Sequence, residues 1–158
     1  MSEETEKNRD LVLRIEAAWE SGDLDALDGF FAPDVVSHAA VPRLPRGLPG
    51  WKLAHRQMLA AVPDRRVSIE DVIADGDKVA VRARLTGTNR AGLPWANVPP
   101  NGRPIDMDYI SIYRIEDGKV VECWAINDMS SLVDQIGADA DLVRRRVIRQ
   151  GWPFLGDG

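Results

Sequence analysis

A chain of 158 residues, 44% apolar and 28% charged, is sized for one domain with a core of its own. The formal net charge of −5 argues against nucleic acid as a partner, because phosphate binding needs a basic face. No apolar run approaches the ~20 residues of a membrane span, and the opening Met-Ser-Glu-Glu-Thr-Glu lacks the basic and apolar regions of a signal peptide, so the expected location is the cytoplasm.

In chain order, Asn8 is placed to cap a first helix running to about Ser21, with Leu11, Val12, Ile15, Ala18 and Trp19 on one stripe and Gly22 at its end. Asp23 is placed to cap a short second helix carrying Leu24, Leu27, Phe30 and Phe31. Pro33 then breaks the chain before an extended segment, Asp34 to His38. The Pro/Gly-rich stretch from Ala39 to Gly50 reads as a loop, and Trp51 to Val62 as a third helix ended by Pro63. Arg66 to Ala74 and Lys78 to Thr88 read as a hairpin turning at Asp75-Gly76-Asp77. Ile105 to Ile115 and Lys119 to Ile126 read as a second, turning at Asp117-Gly118. The connection between the hairpins, Asn89 to Gly102, is long enough to suggest a functional or mobile loop.

Met129 to Ile136 reads as a helix closed by Gly137, and Asp141 to Gln150 as a helical tail whose Arg144, Arg145, Arg146 and Arg149 suit a solvated face or a subunit contact. Residues 1–137 are thus expected to form the domain, with 138–158 as a tail belonging to it. Segregated helices and an antiparallel sheet make the class α+β. A curved sheet closed over by helices would form a cone with an apolar interior, the kind of concavity in which ligands bind.

Within the last strand, Val120, Glu122, Trp124, Ile126 and Asp128 alternate onto one face. A carboxylate beside such an aromatic wall would have a raised pKa and could move protons near neutral pH. The same Asp128 is also placed to cap the helix that follows it, and the two readings stay open. Cys123, the single cysteine, reads as a buried structural thiol. Two histidines are too few for a multi-His metal site.

Four stretches together resemble the SnoaL-like polyketide cyclases of the NTF2-like superfamily. They are Phe31-Ala-Pro-Asp-Val-Val-Ser-His38, Val62 to Arg82, Pro100-Asn-Gly-Arg-Pro-Ile105 with Ile112 to Asp128, and the closing Asp134-Gln-Ile-Gly137. They span about residues 8 to 137. The resemblance implies an NTF2-like cone, a homodimer formed through the outer face of the sheet, and no metal or organic cofactor. It further implies that Asp128 is the acid/base of an intramolecular aldol closure or an isomerase-like proton transfer. The chain departs from those cyclases in lacking a histidine between Ile105 and Arg114, and in carrying Cys123 where many relatives have a histidine.

An aldol closure needs a base for an activated C–H, an acid for the new alkoxide, and donors for the enolate oxygen. His38, Tyr109 and Arg82 are the candidate donors, each a polar residue in an apolar segment. Trp19, Trp95 and Trp124 could form a slot for a hydrophobic or polycyclic ligand, with Trp95 as a lid and His55 at the boundary. A non-catalytic ligand-binding protein remains an alternative, as do hydratase, hydroxylase-like and epoxide-hydrolase-like reactions in the same cone. Asp106 and Asp108 read as exposed strand charges.

Overall fold

The computed structural model describes residues 1–38, 45–93 and 98–137. The element order is α1 (Glu3–Ser21), a 3-10 turn (Ala26–Gly29), β1 (Phe31–Ser37), α2 (Gly47–Ala61), β2 (Arg66–Asp75), β3 (Lys78–Thr88), β4 (Pro104–Glu116), β5 (Lys119–Asn127) and α3 (Met129–Ile136). The five strands form one open sheet in the order β1-β5-β4-β3-β2, with β1 parallel to β5 and every other pair antiparallel. The sheet curves, and α1 and α2 cover its concave side, giving the α+β cone that the patterning and the resemblance imply.

Most element boundaries fall within a few residues of those expected, and the differences have local causes. Helix α1 starts earlier because Ser2, not Asn8, accepts the Thr5 N–H as its cap. Asn8 is instead buried in mid-helix, where its amide donates to the Gly76 carbonyl at 3.1 Å and ties α1 to the β2–β3 turn. The expected second helix is a single 3-10 turn, with Asp23 accepting the Ala26 N–H at 3.1 Å. Pro33 lies inside β1, at the irregularity between Phe31 and Val36. A missing N–H is tolerated there because β1 is an edge strand. The β4–β5 turn places Asp117 at φ 49 and Gly118 at φ 72, the paired left-handed conformation an Asp-Gly hairpin turn needs.

The long connection between β3 and β4 is anchored at its base by Asn89, which is fully buried. Its amide donates to the Pro99 carbonyl at 3.1 Å and to Asn101 Oδ1 at 3.0 Å, while its own oxygen accepts the Gly92 N–H at 3.0 Å. Asn101 in turn donates to the Ile136 carbonyl at the end of α3. The expected lid residue Trp95 and the tail 138–158, with its arginines, lie outside the described residues.

The core lies between the helices and the concave face. Ile105, Met107, Tyr109, Ser111, Tyr113 and Ile115 of β4 point inward with Val79, Val81, Ala83 and Leu85 of β3, against Leu11, Val12 and Ile15 of α1. Alternation carries the other half of each strand to the convex face.

Candidate functional site

Strand β5 does not keep the single face that its sequence suggests. Ile115 pairs with Val120 but Arg114 pairs with Glu122, so Val121 is an extra residue, a β-bulge. One extra residue reverses the alternation beyond it. Val120 and Cys123 therefore both point into the core, while Glu122, Trp124 and Ile126 turn to the convex side opposite Arg114, Ile112 and Ile110. Trp124 is thus not a wall of the interior.

His38 goes with it. Its backbone N–H extends the β1–β5 pairing by donating to the Cys123 carbonyl at 2.8 Å, and its ring stacks on Trp124 at 5.1 Å. Its Nε2 lies 2.8 Å from Glu122, whose carboxyl is held below its ordinary pKa by His38 and then by Arg114. Arg82, expected as an enolate donor, also lies on the convex face and pairs with Asp71 at 2.6 Å. Asp106 is held by Arg84 on the same face, which agrees with its reading as a strand charge.

Asp128 is the cap of α3. Its Oδ1 accepts the Ser131 N–H at 3.0 Å and its Oδ2 accepts the Ser131 hydroxyl at 2.5 Å. The carboxylate is exposed, and these two bonds lower its pKa, the reverse of the shift an acid/base beside an apolar wall requires. Asparagine caps a helix about as well as aspartate, whereas alanine does not. Asp128→Asn is therefore expected to unfold near the wild-type temperature and Asp128→Ala at a lower one, measured by thermal denaturation. The aspartate's advantage over asparagine should shrink as pH falls below its ordinary carboxyl range.

The interior holds a different carboxylate. Glu16, on the core-facing side of α1, is only 4% exposed. Its Oε2 accepts the Tyr109 hydroxyl at 2.7 Å and its Oε1 the Tyr113 hydroxyl at 2.8 Å. The two tyrosines are four residues apart on β4, about 13 Å along a strand, and their hydroxyls converge because they stand on the concave side. Burial pushes the Glu16 pKa up, and the two hydroxyl bonds offset only part of that rise. Both tyrosines are pushed well above their ordinary range by burial and then by the Glu16 charge, so they stay protonated.

Aromatic rings run in a continuous series from one of these tyrosines to the other. Tyr113 meets Phe31 at 6.4 Å, Phe31 meets Trp51 at 5.0 Å, and Trp51 stacks on His55 at 3.4 Å. His55 meets the edge of Trp19 at 6.0 Å, and Trp19 meets Tyr109 at 6.3 Å. His55 Nδ1 lies 2.7 Å from the Trp51 carbonyl, and desolvation lowers its pKa to about 4, so the imidazole is neutral at neutral pH. The Trp19 indole N–H is buried without a hydrogen-bond partner among the described residues. Cys123 is a buried free thiol whose pKa is raised chiefly by burial.

Tyr109, Trp19 and His55 are therefore brought together in the cone, whereas His38, Arg82 and Trp124 are carried to its outside. Glu16, Tyr113 and Trp51 complete the interior cluster. The signal for Glu16 was present in the sequence, since it stands four residues after Val12 and three before Trp19, within the apolar stripe of α1. A charge in that phase is a buried charge.

An open α+β cone with aromatic rings and a buried titratable group between its helices and sheet has the architecture of the NTF2-like fold. The family model of the SnoaL-like polyketide cyclases matches residues 9–136. This chain belongs to that family. No curated protein matches it. Among solved structures it is similar to TsrD from Streptomyces laurentii, with 27% identity over 88% of this chain and 99% of that one and a TM-score of 0.77. It is also similar to IdmH, a candidate polyketide cyclase from Streptomyces antibioticus, with 32% identity over 83% and 99% and a TM-score of 0.71. A third is AclR, a candidate hydroxylase from Streptomyces galilaeus, with 28% identity over 84% and 97% and a TM-score of 0.73.

Proposed function

We infer that this chain is an enzyme that moves protons on a hydrophobic, oxygenated small molecule without a cofactor, a reaction of the polyketide-cyclase type. The observation that carries this reading is the interior cluster. A carboxylate of raised pKa is buried on two tyrosine hydroxyls beside a series of aromatic rings, in a family of cyclases. Evolution rarely leaves a carboxylate in such a place for stability, because its ionised form is penalised by burial. Aromatic faces suit a flat conjugated ligand, and polar groups at their centre suit its oxygens. Asp128 is left out of this reading, since its carboxylate is committed to Ser131.

The test uses benzoylacetone, a flat enolisable ketone. Quenching of tryptophan fluorescence reports binding, and proton NMR in heavy water reports exchange of the hydrogen between its carbonyls. Saturable quenching with exchange faster than in buffer supports the enzyme; saturable quenching without it makes the protein a binder. The likeness to AclR favours one second reading, oxygenation of the ligand. Label taken up from dioxygen during turnover would establish it, and label from water would point to hydration or hydrolysis.

The same reading includes a homodimer through the convex face of the sheet. There Ile73, Ala80, Ile112 and Trp124 form one row across four strands, and Ile110 and Ile126 stand side by side in the next row. Ile126 and Ile73 are 75% and 69% exposed, which leaves an apolar band in water.

A further inference from the structure

We propose that Trp19, Tyr109 and Glu16 form a coupled electron and proton relay, which takes an oxidising equivalent from a small one-electron oxidant at the Trp19 ring and holds it on Tyr109. The route needs no ligand in the interior, so it goes beyond the proton-transfer reading and does not rest on it. The chain has two tyrosines, and both hydroxyls donate to one buried carboxylate, Tyr109 at 2.7 Å and Tyr113 at 2.8 Å. A phenol gives up an electron readily only if its proton leaves too, and a hydrogen-bonded carboxylate is the acceptor that permits this.

Trp19 is the way in. Its ring is only partly buried and packs on Tyr109 with 6.3 Å between centroids, a contact through which an electron passes directly. Its indole N–H, by contrast, is buried without a partner among the described residues. An oxidised indole ordinarily sheds that proton and becomes a weaker oxidant, and here no acceptor takes it. The Arg65 guanidinium lies 5.7 Å over the same ring, a contact that favours a neutral ring and opposes a positive one. Both features drive the charge off Trp19. Tyr113 instead leads to Phe31, whose ring has no acidic proton to give up, so the tyrosine that answers is Tyr109.

The other groups nearby do not compete for the phenol proton. Along α1, Glu20 accepts the Val67 N–H. From α2 comes His55, a poor base at a pKa of about 4. From β5, Cys123 keeps its own proton because burial raises its thiol. The step then balances. The oxidant gains one electron from Trp19 and leaves a radical cation. Tyr109 returns an electron to Trp19 while its hydroxyl proton crosses the 2.7 Å bond to Glu16. The products are the reduced oxidant, neutral Trp19, a neutral Tyr109 radical and protonated Glu16. The buried cluster ends uncharged, which burial favours.

Pulse radiolysis with azide radicals tests the relay, because these oxidise accessible indole rings, whereas both tyrosines are buried and protonated. In mildly alkaline buffer the wild type is expected to lose tryptophyl absorption and gain tyrosyl absorption at one shared rate, independent of protein concentration. Tyr109→Phe should hold the tryptophyl signal instead, and Trp19→Phe should lose the shared phase. Glu16→Gln should slow it about 100-fold with an unchanged circular dichroism spectrum, because glutamine accepts the hydrogen bond but not the proton. A wild type without the phase, or with a rate that scales with protein concentration, would overturn the relay. So would the wild-type rate in any of the three variants. Benzoylacetone exchange, run without oxidant, reads the proton-transfer proposal separately.

Discussion

Glu16→Gln is expected to make the fold more stable in neutral and mildly alkaline buffer while removing proton transfer. In the folded chain the carboxyl holds its proton to a higher pH than its ordinary 4.5, because burial disfavours the charge. An acid whose pKa is raised by folding leaves stability intact below its unfolded value. That stability is then lost as pH rises through the folded value. Glutamine has the same shape and offers an oxygen and an amide to the two tyrosines, but it does not ionise. The variant's advantage in thermal denaturation should therefore grow with pH above 4.5 and vanish below it.

A neighbouring group bends the profile the other way. His55 titrates at about 4 in the fold against an ordinary 6.5, so the wild type and the variant alike lose stability as pH falls through that interval. Subtracting the two profiles cancels the His55 contribution and isolates Glu16. A Glu16→Gln protein less stable than the wild type at alkaline pH would show that the carboxylate is a structural brace for Tyr109 and Tyr113. Glu16→Leu is the contrasting variant. It leaves two buried hydroxyls without an acceptor, at about 1–3 kcal/mol each, and is expected to destabilise the fold.

Ile112→Arg is expected to convert a dimer to a monomer. Ile112 sits mid-row between Ala80 and Trp124, so a self-complementary interface on this face places its charge at the centre, where charged residues are depleted. Central positions dominate binding energy, and a loss of about 2 kcal/mol weakens association about thirtyfold. Charged pairs flank the apolar band where such an interface would have its rim, Arg84 beside Asp106 at one margin and Arg114 beside Glu122 at the other. Light scattering after size-exclusion chromatography should give twice the chain mass for the wild type and one chain mass for the variant. Because the side chain points away from the core, the monomer should still fold and show the wild-type circular dichroism spectrum. A monomeric wild type, or a variant that stays dimeric, would sink the proposal. The same band would then be an exposed apolar surface with some other cover.

The two expected results come from opposite faces of one sheet, and the sequence was unequally informative about them. β3 and β4 could be read directly, since strict alternation of apolar and polar residues assigns each side chain to a face. Tyr109 was thus legible as an inward residue, and Trp19 as part of the inward stripe of α1. The same rule failed on β5, because a bulge carries no distinctive residue of its own. Val121 is simply one valine of a pair, and nothing local marks it as the extra residue. That error put Trp124 inside, whereas it stands on the convex side with His38 stacked on it.

Asp128 carried two readings in the sequence, and the structure places it in one of them, as the cap of α3. Both readings were local and both fitted the spacing, and the bonds its carboxylate makes to Ser131 separate them.

By itself, the sequence determined the α+β class, the two hairpins, the family, and most element boundaries. These depend on periodicity, turn chemistry and caps, which act between residues a few positions apart. The tertiary structure alone decided which titratable group sits in the dry interior. Glu16 owes its raised pKa to burial beneath two tyrosines 93 and 97 positions away, and desolvation is set by every element that closes over a group.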